Sequence, residues 1–167
     1  FVNATNDVLA AGDTDTFTVG TLGRVELSND GRLRAHTIAN NGTSLLTITV
    51  RNYTASALNN IAFTDNLPAG MEIATPAQPA FASGDCQYAS STVASGFSVT
   101  AVPDGTSIVV SGGSLVAAPN SANPAQCTIR VNVRTPSGSA GVATNTITPG
   151  QFVVSYVGGG SYANNAN

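Results

Sequence analysis

Polar and apolar residues alternate along three segments of the chain, a pattern typical of strands with one buried face. The segments are residues 43–52, 58–65 and 126–134. In the first two, the apolar residues expected to point into the core are Leu46, Ile48, Val50, Ile61 and Phe63. In the third, four residues share the apolar face: Cys127, Ile129, Val131 and Val133. These segments are the most regular strands that the sequence predicts.

Weaker alternation and turn residues predict further strands. They are residues 15–19, 24–28, 33–38, 93–102, 106–111 and 114–118, with a last strand region at 144–157. Asn-Asp-Gly at residues 29–31 and Pro-Asp-Gly at residues 103–105 are predicted turns between strands. Residues 152–157 are apolar on both faces, so we expect both faces to be covered. No segment has a helical period longer than two turns, and the spacing of short strands predicts an all-β antiparallel sandwich.

The length of 167 residues predicts a single domain. We expect the sandwich over residues 23–157, after an N-terminal arm at residues 1–22 that could donate a strand. Residues 158–167 are expected to form a glycine-rich hinge and a polar tail. Because Phe1 is not an initiator methionine, we expect a processed chain or a fragment. The arm residues predicted to contact another subunit are Phe1, Val2, Val8, Leu9, Phe17 and Val19.

Charge is sparse, at 9% of residues, with a net charge of −3. With this net charge and a pI near 4.7, no basic stripe is expected that could bind nucleic acid. All six cations are arginines. No apolar run approaches the roughly 18–20 residues that a membrane-spanning helix needs. Because the chain contains no lysine, it has no side-chain amine for a Lys–Asn crosslink, and cohesion between copies is expected to be non-covalent.

The residues that could carry chemistry are few. Cys86 and Cys127 fit one structural disulfide in an oxidising compartment, and two buried thiols are the alternative. The single histidine, His36, has no relay partner in a recognisable motif, so a catalytic role is not expected. Five aspartates could offer oxygen ligands to Ca²⁺, although no calcium-binding motif is present and neither a metal nor a cofactor is predicted: Asp13, Asp15, Asp65, Asp85 and Asp104. For Asp65, we expect a role in capping the turn before Leu67-Pro68 rather than one in binding Ca²⁺.

An ordered set of short motifs resembles the bacterial and archaeal surface-repeat family catalogued as domain of unknown function eleven. The motifs lie at residues 50–52, 64–70, Cys86, 103–106, 112–115, 127–131 and 144–147, and the resemblance covers about residues 24–151. It implies an immunoglobulin-like sandwich on secreted or cell-surface proteins, with a Cys–Cys pair and no catalytic activity. The chain differs from tandem members of that family in having one module and an arm.

These observations predict an extracellular structural protein. We expect copies of the chain to form a surface filament, a pilus-like fibre or a surface layer, in which the arm adds a strand to a neighbouring copy. The alternative is an adhesin module that binds surface glycans through loops such as residues 76–89. An enzyme is not expected, because the sequence offers no recognisable reaction centre.

Overall fold

The computed structural model describes residues 16–18, 24–29, 38–78, 80, 82–87, 93–120, 122–138, 145, 147, 151–157 and 161–163. Within these ranges the regular structure is β, and no α-helix occurs. The strands are β1 (Thr16–Thr18), β2 (Arg24–Asn29), β3 (Thr43–Asn52), β4 (Leu58–Asn66), β5 (Glu72–Ile73), β6 (Ala94–Ser95), β7 (Ser98–Ala101), β8 (Ser107–Leu115), β9 (Ala125–Arg134), β10 (Phe152–Tyr156) and β11 (Ser161–Ala163).

The strands form two antiparallel sheets. The β3/β9 sheet has the order β1-β2-β3-β9-β5, and the β4/β8 sheet has the order β11-β10-β4-β8-β6, with β7 also paired to β8. The longest ladder joins β3 to β9 over ten residue pairs, from Thr43 opposite Arg134 to Asn52 opposite Ala125. Alternation with period two keeps the same face of both strands turned inward along this whole ladder.

The core lies between the two sheets and is built from one face of each. Ile48, Ile129 and Val131 of the β3/β9 sheet belong to one buried cluster with Ile61 and Ile108 of the β4/β8 sheet. The five residues predicted to point into the core from β3 and β4 are all buried. The prediction of an all-β protein with two sandwich-like layers is therefore confirmed.

Around β8, the strands predicted from the sequence differ from those in the structure. The predicted strand at residues 93–102 is two short strands, β6 and β7, separated by Gly96 and Phe97. The two predicted strands at residues 106–111 and 114–118 are instead one, because β8 continues through Gly112 and Gly113. Phe97 covers this part of β8 so closely that a Cβ atom on Gly113 would lie 2.2 Å from the Phe97 ring.

The expectation that both faces of residues 152–157 are covered is wrong. Phe152 and Val154 are buried, but Val153 and Val157 are 39% and 58% exposed. An antiparallel sheet commonly packs only one face on the core. Part of the predicted polar tail is also a strand, since β11 pairs with β10.

The N-terminal predictions fall largely outside the described residues. Strand β1 corresponds to part of the predicted arm, and its Phe17 lies opposite Val25 of β2 in the same chain. Residues 33–37 of the predicted strand at 33–38 are outside the described ranges, and Ile38 is not in a strand.

Candidate functional site

The β9-edge segment, as we call residues 72–78, 80 and 82–87, runs along the side of β9 that faces away from β3. Strand β5 begins this segment and pairs with the end of β9. Further along, the Ala74 N–H donates to the Asn132 carbonyl over 2.8 Å, and the Asn132 N–H donates to the Ala77 carbonyl over 2.7 Å. Near the other end of β9, the Cys86 N–H donates to the Thr128 carbonyl over 2.7 Å. The segment therefore occupies much of the edge that β9 would otherwise present to another strand.

Asp85 anchors this segment to β9 through its carboxylate. Its side chain is 3% exposed, and that of Arg130 is 21% exposed. Arg130 Nη2 lies 2.6 Å from Asp85 Oδ2, and Arg130 Nε donates to the same oxygen over 3.0 Å. Asp85 also accepts hydrogen bonds from the Thr128 hydroxyl over 2.8 Å and from the Ala82 N–H over 2.9 Å. Arg130 continues to the Ala80 carbonyl, which ties a further part of the segment to β9.

The electrostatics of Asp85 favour its charged form. Burial opposes ionisation, but the hydrogen bonds from Arg130, the Ala82 N–H and Thr128, together with the Arg130 charge, outweigh it. They hold the pKa of the Asp85 carboxyl below its ordinary value of 3.8. Such a paired and fully hydrogen-bonded carboxylate can maintain a fixed geometry, but it is already committed to partners within the chain.

The disulfide lies beside this ion pair. Cys86 and Cys127 are bonded to each other, both are buried, and their Cα atoms are 5.0 Å apart. Cys127 lies opposite Val50 in the β3–β9 ladder, so the bond joins the β9-edge segment to the centre of the core. Of the two possibilities that the sequence left open, the structure has the disulfide, which is compatible with an extracellular location.

A second ionic cluster joins the two sheets at one end of the molecule. Arg134 of β9 donates through Nε to Glu72 Oε1 over 2.7 Å, and its Nη2 lies 2.7 Å from Asp104 Oδ1. Asp104 has a φ of 64° in the turn between β7 and β8, where Pro-Asp-Gly predicted a turn. Ile73 exchanges backbone hydrogen bonds with this turn, donating to the Gly105 carbonyl and accepting from the Asp104 N–H.

A buried asparagine organises the turn between β3 and β4. Asn52 is 0% exposed, and its Oδ1 accepts hydrogen bonds from the N–H and the hydroxyl of Thr54. Its Nδ2 donates to the carbonyls of Ser56 and Val116. Every polar position of the amide is thus used within the fold, which makes it a structural residue.

A depression of about 130 Å³ lies near this turn, between the ends of β4, β6 and β8. Leu58, Ala94, Ser114 and Val116 are among the residues that line it. Small-molecule sites usually enclose about 300–1,000 Å³. The depression is therefore smaller than a typical site for an organic ligand.

The aspartates considered as calcium ligands do not converge where the structure describes them. Asp85 pairs with Arg130, Asp104 pairs with Arg134, and Asp65 of β4 accepts a hydrogen bond from Asn145. Asp65 therefore does not cap the turn that follows β4. No group of three or more His, Cys, Asp or Glu side chains in the described ranges is arranged to hold a metal. Asp13, Asp15 and His36 lie outside those ranges.

Of the predicted subunit-contact residues, Phe17 lies in β1. The others, Phe1, Val2, Val8, Leu9 and Val19, lie outside the described residues. No helix in the part of the chain that the structure describes is long and apolar enough to cross a membrane.

Sequence reasoning missed the pairing of Asp85 with Arg130, although a signal for it was present. Asp85 directly precedes Cys86, and Arg130 follows Cys127 by three positions. Once the two cysteines are assumed to be bonded, both charged residues must lie within a few residues of the same bond. A carboxylate and a guanidinium brought this close are expected to pair.

Comparison with known proteins corrects the family suggested by the motifs. The family model that matches is "Domain of unknown function (DUF7933)", and it covers residues 31–166. The resemblance to domain of unknown function eleven is therefore wrong. Short motifs such as Thr-Asp-x-Leu-Pro-x-Gly encode a strand followed by a turn, so they report local geometry that unrelated sandwiches can share. Neither a curated protein nor a solved structure matches the chain.

Proposed function

The chain belongs to the DUF7933 family, and from that premise we propose that it is an extracellular structural protein. Copies of it associate non-covalently, by strand addition, into a surface filament, a pilus-like fibre or a surface layer. The proposal assigns no catalytic role and no cofactor to the chain.

The observation that carries this proposal is which segments of the chain form the edges of the two sheets. The β9-edge segment covers one edge of the β3/β9 sheet. The opposite edge of that sheet carries β1, and one edge of the β4/β8 sheet carries β11. Both edge strands come from the terminal segments of the sequence, and each is held by three residue pairs. Short terminal strands of this kind can be replaced by the same strand from another copy at small cost, because the contacts exchanged are equivalent.

The N-terminal segment is long enough for such an exchange, and it contains apolar side chains that an added strand can bury. Residues 1–22 span at most about 73–79 Å when extended, which is enough to reach a neighbouring domain. Strand addition would pair the backbone groups of β2 with the arm of the next copy and would bury alternate side chains, among them Phe17. A head-to-tail contact of this kind does not close on itself and therefore produces a fibre.

We also propose that the sandwich is of the immunoglobulin kind. The order β2-β3-β9-β5 parallels strands A, B, E and D of that fold, and β11-β10-β4-β8 parallels G, F, C and C′. One difference is that β5 precedes β8 in the chain, whereas strand D follows C′ in an immunoglobulin domain. The disulfide supports the extracellular part of the proposal.

Electron microscopy of the purified chain tests the function. We expect filaments or ordered layers from residues 1–167, and folded, monodisperse particles after deletion of residues 1–22. Deletion of residues 158–167, which removes β11, is the matched control, and we expect this variant to assemble. Assembly by the protein that lacks residues 1–22, or monodisperse particles from the whole chain, would overturn the proposal.

Glycan binding by an adhesin module is the alternative function, and the anchoring of residues 76–87 favours it. Asp85, Cys86 and the Ala80 carbonyl are all tied to β9, so this loop is presented on a rigid support, as recognition loops usually are. Phe81 and Tyr88, the aromatic residues of the loop, lie outside the described ranges. A glycan-array signal that disappears in Tyr88→Ala, from a chain that remains monomeric, would favour this alternative.

A further inference from the structure

Asp65 and Asn145 form a buried pair in which two acceptor oxygens lack a hydrogen-bond donor. Asp65 lies in β4 and is 0% exposed, and Asn145 precedes β10. The Asn145 Nδ2 donates to Asp65 Oδ2 over 2.8 Å. The other oxygen of each side chain, Asp65 Oδ1 and Asn145 Oδ1, is buried without a hydrogen-bond partner among the described residues. Both atoms accept hydrogen bonds, so neither can satisfy the other while Asp65 is a carboxylate.

One proton would satisfy both atoms. A carboxylic acid and a primary amide are complementary across two parallel hydrogen bonds, in which the amide N–H donates to one acid oxygen and the acid O–H donates to the amide oxygen. The first of these bonds is present. Adding a proton at Oδ1 turns that atom from an unpaired acceptor into a donor, and it removes a buried charge.

We propose that Asp65 is a proton-binding site of the folded domain, and that its Oδ1–H donates to Asn145 Oδ1. The proton closes a two-bond acid–amide pair that holds the segment before β10 against β4. This segment also carries Ile147, which is buried in the core. The pair therefore fixes where the chain enters β10, one of the two strands that pair with β4.

The surroundings of Asp65 favour the neutral acid. Ile108 lies opposite it on β8, and Ala101 lies opposite Ile108 on β7. Toward the β7–β8 turn, Arg134 pairs with both Glu72 and Asp104. Burial raises the pKa of the Asp65 carboxyl above its ordinary value of 3.8, and the hydrogen bond from Asn145 opposes this more weakly. No charged side chain of the described ranges contributes to that balance.

The sign of the resulting pH dependence follows from the direction of the shift. Between pH 3.8 and the higher folded value, the folded state holds a proton that the unfolded state has lost. The free energy of unfolding therefore falls as pH rises through this window, and the stabilisation by the proton is fully present only at lower pH.

Carbon-detected NMR of the whole chain tests the site without a mutation. We expect the carboxyl carbon of Asp65 to titrate with a midpoint above 3.8. A midpoint at or below 3.8 would overturn the proposal.

Two substitutions separate the acid–amide pair from a simple packing role. Asp65→Asn keeps the shape, and its amide can donate where the acid O–H did, so we expect it to fold and to lose the pH dependence assigned to Asp65. Asp65→Leu removes both hydrogen bonds and is expected to lower the midpoint of urea unfolding strongly at every pH. If Asp65→Asn at neutral pH lowered that midpoint as much as Asp65→Leu, the acid–amide pair would be refuted.

Discussion

Arg130 Nη2 lies 2.6 Å from Asp85 Oδ2, and Arg130 Nε lies within 3.2 Å of both oxygens of the same carboxylate. The pair joins the β9-edge segment to the middle of β9. In that segment, Asp85 directly precedes Cys86 of the disulfide. Because the Asp85 side chain is almost fully buried, the guanidinium is what makes its charge tolerable there.

Arg130→Met is therefore expected to destabilise the domain severely. Methionine keeps much of the apolar volume but leaves the Asp85 carboxylate without its cation, and breaking one side of a buried pair costs about 3–5 kcal/mol. Urea unfolding followed by circular dichroism measures this loss. Arg134→Met, on the same strand as Arg130, is the matched control. The Arg134 side chain is 38% exposed, and its partners Glu72 and Asp104 are 18% and 68% exposed, so a smaller loss is expected. Equal losses in the two variants would contradict a special role for the pair.

The same carboxylate should make part of the stability depend on acid pH. Since the folded pKa of Asp85 is depressed, its contribution is present above 3.8 and is lost as pH falls through the lower folded value. The free energy of unfolding of the wild-type chain should thus exceed that of Asp85→Asn at neutral pH, and the difference should shrink on acidification below 3.8. Urea unfolding at a series of pH values measures it. Curves for the two proteins that stay parallel into acid would contradict the prediction.

The disulfide gives a third prediction. Cys86 and Cys127 are 41 positions apart, and closing a loop of that size stabilises the folded state by about 4 kcal/mol on the chain-entropy account. The Cys86→Ala/Cys127→Ala variant should lose about this amount. A reducing agent should lower the unfolding midpoint of the wild-type chain and leave that of the variant unchanged. An unfolding midpoint of the wild-type chain that did not respond to reduction would argue against this stabilising role.

The strands predicted correctly from the sequence are those in which burial alone sets the alternation of polar and apolar residues. β3, β4 and β9 are nine or ten residues long and lie at the centre of their sheets, so a period of two is repeated often enough to be recognised. β5 and β11 have two and three residues, too few for any period. Their strand character comes from pairing with β9 and β10, which a local pattern cannot encode.

The candidate site could be predicted only in part, for a similar reason. The two cysteines suggested a disulfide by their number. Asp85 and Arg130 are 45 positions apart, and only their places beside the two cysteines indicate that they meet. Asp65 looked like a turn residue because Leu-Pro-Ala-Gly follows it closely. Its position in the inward register of β4, next to Ile108 of β8, decides its burial instead.

Gly113 lies in β8, which local propensity predicted as two strands instead of one, and it provides the last prediction. Two adjacent glycines normally weaken a strand, but in β8 the ring of Phe97 covers Gly113, an arrangement known to stabilise glycine in sheets. A Cβ at Gly113 would lie 2.2–2.4 Å from three atoms of that ring, so Gly113→Ala must displace it. We expect a loss of about 1–3 kcal/mol, as for other overpacked sites.

A double-mutant cycle distinguishes this clash from a general effect of alanine in β8. In a Phe97→Ala background the ring is absent, and Gly113→Ala should then cost much less, because alanine otherwise favours a strand no less than glycine does. Urea unfolding of the four proteins measures the coupling. If Gly113→Ala cost the same with and without the Phe97 ring, the two side-chain positions would be independent. The continuity of β8 would then have to come from its backbone pairing with β4, β6 and β7.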